Sequence, residues 1–141
     1  MSSRLFQNVR EKRGLAYSIY SFLDLWSDTG LMGVYVGTSQ KEADEVMTLI
    51  EEELHLLSNN PVLENELEKT KNQLARHLVL ISDDCINRMN RIAKMEAYIQ
   101  QYIPVEETVA AIGKVSAEGV QRVAHELVQK RERYTTILEP K

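Results

Sequence analysis

The chain has 141 residues, of which 43% are hydrophobic and 27% charged, and its formal net charge is −4. This length is enough for one globular core and short for two, so we predict one domain or one large part of a domain. The acidic balance disfavours a nucleic-acid partner, which needs a basic face, and no apolar stretch approaches the roughly 18 residues that would indicate a membrane span.

The first predicted element is a helix that ends near Arg13. Its apolar side chains fall at helical spacing within the first ten residues: Leu5, Phe6 and Val9. Ser2 and Ser3 stand where an N-cap is expected, and Gly14 is the residue type that best tolerates a left-handed C-cap. Because a natural chain seldom begins inside an amphipathic helix, we expect residues 1–141 to be a truncated piece of a longer protein.

Two strands joined by a turn are predicted next. Residues 16–26 are apolar on both faces, which is typical of an inner strand covered on two sides. The turn SDTG leads to a second strand at 31–39, so the pair should form an antiparallel hairpin. Gly33 and Gly37 share one face of the second strand, where a close approach to the backbone is expected from a ligand or from a packed helix.

Residues 40–129 have a helical pattern with short breaks that divide it into five helices. The sequence SDD at 82–84 can cap the third of these helices, and Ser116 can cap the fifth. The third is expected to turn five side chains inward: Ile86, Met89, Ile92, Ala93 and Ile99.

The closing RYTTILEP is a strand by composition. The predicted fold is therefore α+β, with a small antiparallel sheet of about three strands covered by about six helices.

No motif in the sequence makes a self-sufficient active site. His55, His77 and His125 are far apart, and neither HExxH nor HxxEH occurs, so we expect no metal site in this chain. Cys85 is expected to be a small residue beside a helix start, since no histidine or second cysteine lies near it in sequence. A single cysteine and the absence of a signal peptide favour a cytoplasmic location.

The stretch SSRLFQNVREKRGLAYSIYS at residues 2–21 resembles a specific family signature over its whole length. It is similar to the motif that opens the second part of the C-terminal homologous domain in the pitrilysin/insulinase family of zinc metallopeptidases, which includes mitochondrial processing peptidase. The downstream order of elements is similar too, so the resemblance covers essentially the whole chain. It implies that residues 1–141 are a single truncated domain of the metallohydrolase-like, processing-peptidase type, without its first strands and the counterpart of its zinc helix.

The resemblance also implies partners and a site. Zinc would be bound outside this chain, in an N-terminal catalytic half that closes with the present domain over a peptide or unfolded protein substrate. The family's arginine and, seven residues on, its tyrosine match Arg10 and Tyr17, which would bind the substrate backbone. A guanidinium and a phenol can both donate hydrogen bonds to a carbonyl oxygen as it becomes an oxyanion. Arg4, Lys12 and Arg13 are expected to be solvated.

Two functions stay open at this point. The first is the substrate-binding half of a zinc-dependent endopeptidase, and the second is a non-catalytic scaffold of the same fold that binds peptides or partner chains. Periodicity alone favours plainer roles, with Arg10 as a surface charge and Tyr17 as a core aromatic, but the family match favours the first function. If the first strands are missing, the sheet exposes an edge, so we also expect a homodimer through that edge.

Overall fold

A computed structural model describes residues 3–130 and 132–139. Its elements are an opening helix at Phe6–Glu11, strands β1 (Ser18–Leu25) and β2 (Gly30–Gly37), and helices α1 (Ala43–Asn59), α2 (Glu64–Ser82), α3 (Cys85–Ile99), α4 (Val105–Gly113) and α5 (Ala117–Lys130). These six helices and the antiparallel strand pair confirm the α+β class. The chain divides into two compact units, Met1–Asn60 with Ala124–Lys141, and Pro61–Val123.

The core of the first unit joins the opening helix, the hairpin and α1. Its buried hydrophobic side chains come from all three: Val9, Ala16, Ile19, Val46 and Leu49. Val9 has no exposed surface, and Val46 is only 2% exposed. The apolar positions that signalled a helix in the first ten residues therefore also fasten this helix to the rest of the unit.

The predicted hairpin forms, but its outer face is open. Strands β1 and β2 pair antiparallel, with Ser18 opposite Gly37 and Leu25 opposite Gly30. Within β1 only Ile19 is buried, so the prediction of an inner strand covered on both sides is wrong for the described chain. Apolar and aromatic residues make both faces of a strand suitable for burial. Burial itself also requires another layer of structure packed against each face.

The glycine face of β2 is occupied by side chains of β1. A Cβ added to Gly33 would lie within 3.0 Å of three atoms of the Phe22 ring, and one added to Gly37 would lie 2.9 Å from Oγ of Ser18. A close approach to the backbone was predicted correctly. Its source at Gly33 is the ring of the directly opposite residue of the hairpin, and neither a ligand nor a helix is needed to explain it.

The predicted third strand is wrong. Residues 132–139 adopt no regular secondary structure, and the sheet has two strands in the part of the chain that the structure describes. Residues of high β-propensity form a strand only where another strand can accept and donate their backbone hydrogen bonds. In place of a ladder, the Tyr134 hydroxyl donates to Glu132, and Arg133 lies 3.9 Å from Glu51 of α1.

The second unit contains α2, α3 and α4. Oδ1 of Asp84 accepts the Asn87 N–H at 2.9 Å, which confirms the predicted cap of α3. Nη2 of Arg91 donates to Oγ1 of Thr108 at 3.0 Å and so links α3 to α4. The predicted inward face of α3 is wrong, because no residue of this helix is buried, and Ile86 is 65% exposed. An amphipathic pattern marks a face that prefers burial, but a neighbour must cover it.

At the start of α5, Oγ of Ser116 accepts the Gly119 N–H at 3.1 Å, so this predicted cap is also confirmed. No helix in residues 3–130 is both long and apolar enough to cross a bilayer.

Candidate functional site

The opening helix, which bears Arg10, is wound as a π-helix from Phe6 to Glu11. The N–H of Lys12 donates to the carbonyl of Gln7, five residues back, at 2.9 Å. Residues 4–5 are α-helical and lead into the π-helical segment. Oγ of Ser3, just before them, accepts the Phe6 N–H at 3.3 Å, while Ser2 lies outside the described residues. Short π-helical turns are rare in proteins, and those that occur are often found at functional sites. The sequence predicted a helix here but not its winding.

Polar contacts fix how this helix is rotated against α1. The side-chain amide of Asn8 donates to Oε1 of Glu53 on α1, and Nζ of Lys12 donates to Oδ1 of Asn8 at 2.9 Å. Val9, the next residue along, is fully buried. Because one side of the helix is bonded to α1 and the adjacent position is buried, Arg10 is left on the solvent side.

A tight turn connects Arg10 to Tyr17. Gly14 has φ +66°, a left-handed conformation that side chains disfavour, and its N–H donates to the Arg10 carbonyl at 3.1 Å. At the other end, the Tyr17 N–H donates to the Gly37 carbonyl at 2.8 Å and extends the hairpin ladder. The path from Arg10 to Tyr17 is therefore held by backbone hydrogen bonds at both ends, and the predicted glycine C-cap is confirmed.

Both candidate side chains are presented to solvent. Tyr17 is 78% exposed, so in the described chain it is not a core aromatic. Cζ of Arg10 lies 4.9 Å from the centroid of the Phe6 ring, and no carboxylate in residues 3–130 or 132–139 forms an ion pair with Arg10. The site thus offers a guanidinium and a phenol whose hydrogen-bond donors are available to a ligand.

Sequence reasoning did not single out Phe6 and Asn8. The signal for Phe6 was present, because an aromatic residue four positions before an arginine on one helix lies beside it. No comparable signal existed for Asn8, whose partner Glu53 is 45 residues away in the chain.

The described residues contain no group of three or more His, Cys, Asp or Glu side chains placed to hold a metal ion. His77 and His125 are exposed, and Nδ1 of His55 lies 3.3 Å from Nε2 of Gln129. Cys85 is an exposed free thiol at the start of α3. These residues do not form a zinc site in the part of the chain that the structure describes.

A cavity of about 440 Å³ lies within the second unit, where α2, α3 and α4 meet. Its lining combines apolar side chains with charged side chains of both signs: Arg88, Arg91, Asp83 and Glu106. Arg91 already donates to Thr108. The balance of charge favours neither an anionic nor a cationic ligand, and the sequence had not indicated a site here.

Comparison with known proteins gives consistent matches. Residues 1–74 match the family model described as the peptidase M16 inactive domain. An uncharacterized zinc protease of Streptomyces coelicolor is 37% identical over 131 residues, which cover 93% of this chain and 28% of the relative. One of Mycobacterium leprae is also 37% identical over 131 residues, covering 93% of this chain and 29% of the relative.

A third relative is the uncharacterized zinc protease YmxG of Bacillus subtilis, 34% identical over 127 residues that cover 90% of this chain and 31% of the relative. The chain thus spans less than a third of the length of these three relatives.

Proposed function

This chain belongs to the M16 peptidase family through the family's inactive domain, and on that premise we propose that it is the substrate-binding part of a zinc-dependent endopeptidase. In this proposal residues 1–141 are part of one C-terminal domain of a longer protein. A catalytic N-terminal half holds the zinc, and the substrate is a peptide or an unfolded protein segment enclosed in a cavity. The relatives, which are named zinc proteases and of which this chain covers only 28% and 31%, support this division.

The observation that carries the proposal is the joint presentation of Arg10 and Tyr17. Tyr17 is 78% exposed, Arg10 rests on a ring and not on an acid, and the turn at Gly14 connects them through a hydrogen-bonded path. A purely structural arginine and tyrosine would be expected in an ion pair and in the core. Their exposure in a fixed stretch of backbone is suited to binding a ligand.

The chemistry follows from what happens at the scissile carbonyl. As a peptide bond is hydrolysed, negative charge develops on the carbonyl oxygen. Donors already aimed at that oxygen stabilise the transition state more than the ground state. We assign this role to the Arg10 guanidinium and the Tyr17 hydroxyl, which would also hold the substrate backbone. The described residues hold no cluster of potential metal ligands, so in this proposal zinc is assigned to the catalytic half.

The test uses the full-length protein with zinc and a quenched fluorescent peptide library. Arg10→Ala and Tyr17→Phe should each lower kcat/KM by about 10²-fold or more, the cost of one lost oxyanion donor, with zinc content unchanged. Arg13→Ala and Tyr20→Phe are matched controls, because they remove an arginine from the same segment and a hydroxyl from the same hairpin.

Two results would overturn the proposal. Equal losses in the controls would show that the effect of Arg10→Ala and Tyr17→Phe is not specific to these two groups. A wild-type protein that binds extended peptides without cleaving them would be a scaffold of the same fold.

We also propose a homodimer of the isolated chain through the hairpin edges, which have no strand partner among the described residues. The exposed thiol of Cys85 fits a reducing compartment, so the cytoplasm remains the proposed location.

A further inference from the structure

We infer that Phe6 is a positioning residue for Arg10, holding the guanidinium where it can meet the substrate carbonyl. This inference rests on the proposed function, because it takes Arg10 as the group that binds substrate. The observation behind it is the distance of 4.9 Å between Cζ of Arg10 and the centroid of the Phe6 ring. A cation within about 6 Å of a ring centroid is attracted by the negative face of the ring.

The ring is itself held in place. Phe6 is partly buried and packs against the core cluster that contains Val9. Its backbone N–H is bonded to Oγ of Ser3. A long arginine side chain in solvent samples many rotamers, so attraction to a fixed ring narrows the positions that the guanidinium occupies before substrate arrives.

An aromatic partner suits this task better than a carboxylate. An ion pair with Asp or Glu would occupy the N–H donors of the guanidinium in a bidentate contact. The face of a ring attracts the cation as a whole and leaves N–H groups available for a carbonyl oxygen. Arg10 makes no ion pair within the described residues, so no carboxylate among them occupies its donors.

The winding of the helix completes the arrangement. Phe6 and Arg10 both lie in the π-helical segment, whose rotation is set by the bond from Asn8 to Glu53. The ring and the guanidinium are therefore fixed to one rigid element. Positioning of this kind should act mainly on kcat, because a misplaced arginine loses transition-state contacts more than it loses substrate affinity.

The experiment measures kcat, KM and the thermal midpoint of the full-length protein on a fluorogenic peptide. Phe6→Leu should lower kcat by about two- to five-fold with KM nearly unchanged, the range expected for loss of an exposed cation–π contact. Phe6→Trp, which keeps a ring face, should restore most of that loss. Phe6→Met is a second ringless variant, in case leucine is poorly tolerated in the core.

A double-mutant cycle separates positioning from packing. In an Arg10→Ala background, Phe6→Leu should cause no further fall in kcat, because nothing remains for the ring to hold. Leu5→Ala is the matched control, since Leu5 packs against the same core, and its effect should be equal in both backgrounds. A Phe6→Leu loss of equal size in both backgrounds, or no rescue by tryptophan, would overturn the inference.

The outcomes also distinguish this inference from the proposed function. If Arg10→Ala leaves kcat/KM unchanged, the proposed role of Arg10 fails, and the role of Phe6 fails with it. If Arg10→Ala lowers kcat/KM and Phe6→Leu does not, only the positioning role is refuted.

Discussion

Replacing Gly33 by alanine should destabilise the hairpin although the backbone there is compatible with any residue. The new Cβ would come within 3.0 Å of Cε1, Cε2 and Cζ of Phe22, a separation that real Cβ atoms do not show. The ring must therefore move. Because Phe22 is already 37% exposed, it can swing outward and needs no shift of the backbone.

The magnitude follows from two opposing effects. Crowding of this kind costs about 1–3 kcal/mol, while replacing glycine by alanine returns about 0.4–1 kcal/mol by restricting the unfolded chain. The net loss in the free energy of unfolding for Gly33→Ala should therefore lie between about 0 and about 2.6 kcal/mol, with a midpoint of about 1.3 kcal/mol. Because the Phe22 ring can move toward solvent, we expect a loss of stability in the lower part of this range.

Urea denaturation followed by circular dichroism measures this free energy for the wild-type chain, Gly33→Ala, Phe22→Leu and the double variant. Without the ring, Gly33→Ala should be neutral or stabilising by about 0.4–1 kcal/mol. Gly113→Ala is a control, because a Cβ at that helical position meets no atom within 4 Å. If Gly33→Ala destabilises equally with and without the Phe22 ring, the clash is not the cause and the reasoning is wrong.

Asp84→Ala should cost about 1 kcal/mol in urea denaturation, because the Asp84 carboxylate accepts the Asn87 N–H at the start of α3; an unchanged midpoint would refute the cap. The pKa of Glu118 should lie below its ordinary value, because the carboxylate accepts its own backbone N–H and a hydrogen bond from Ser116, and NMR titration should show it rise in Ser116→Ala. A lowered folded pKa adds stability above the unfolded pKa that is lost as the pH falls through the folded pKa, so Glu118→Gln should flatten the acid side of the stability curve. In sedimentation the 141-residue chain should form a dimer, and a strictly monomeric mass at high concentration would contradict this.

The sequence was sufficient wherever a structure is decided by neighbouring residues. The left-handed turn at Gly14, the hairpin turn SDTG, and the caps at Asp84 and Ser116 each depend on a few consecutive side chains, and all were predicted correctly. Local chemistry of this kind needs no knowledge of what surrounds the element.

The sequence was insufficient where a structure depends on distant residues. The exposure of Ile86 on α3 and the missing third strand both follow from the absence of a covering layer in the described chain, which no pattern in the segment itself reveals. In a π-helix each backbone N–H donates to the carbonyl five residues back, and in an α-helix to the one four residues back. The spacing of apolar residues in the sequence does not distinguish these two patterns. At the site, Arg10 and Tyr17 were found through the family motif, whereas Phe6 emerged from the geometry.

The π winding makes the number of residues in the opening helix as important as their identity. A chain one residue shorter between Ser3 and Gly14 could span the same gap as an ordinary α-helix, with the same cap and the same turn. Each residue beyond the deletion would then be rotated by about 100°, the angle that one residue occupies in an α-helix. A deletion after Arg10 would keep the Phe6 ring and the guanidinium together, four residues apart on one helix, but would change how both are oriented relative to Tyr17 although no side chain at the site had been changed. Aligned relatives can therefore be compared by the length of this segment as well as by whether they keep the arginine.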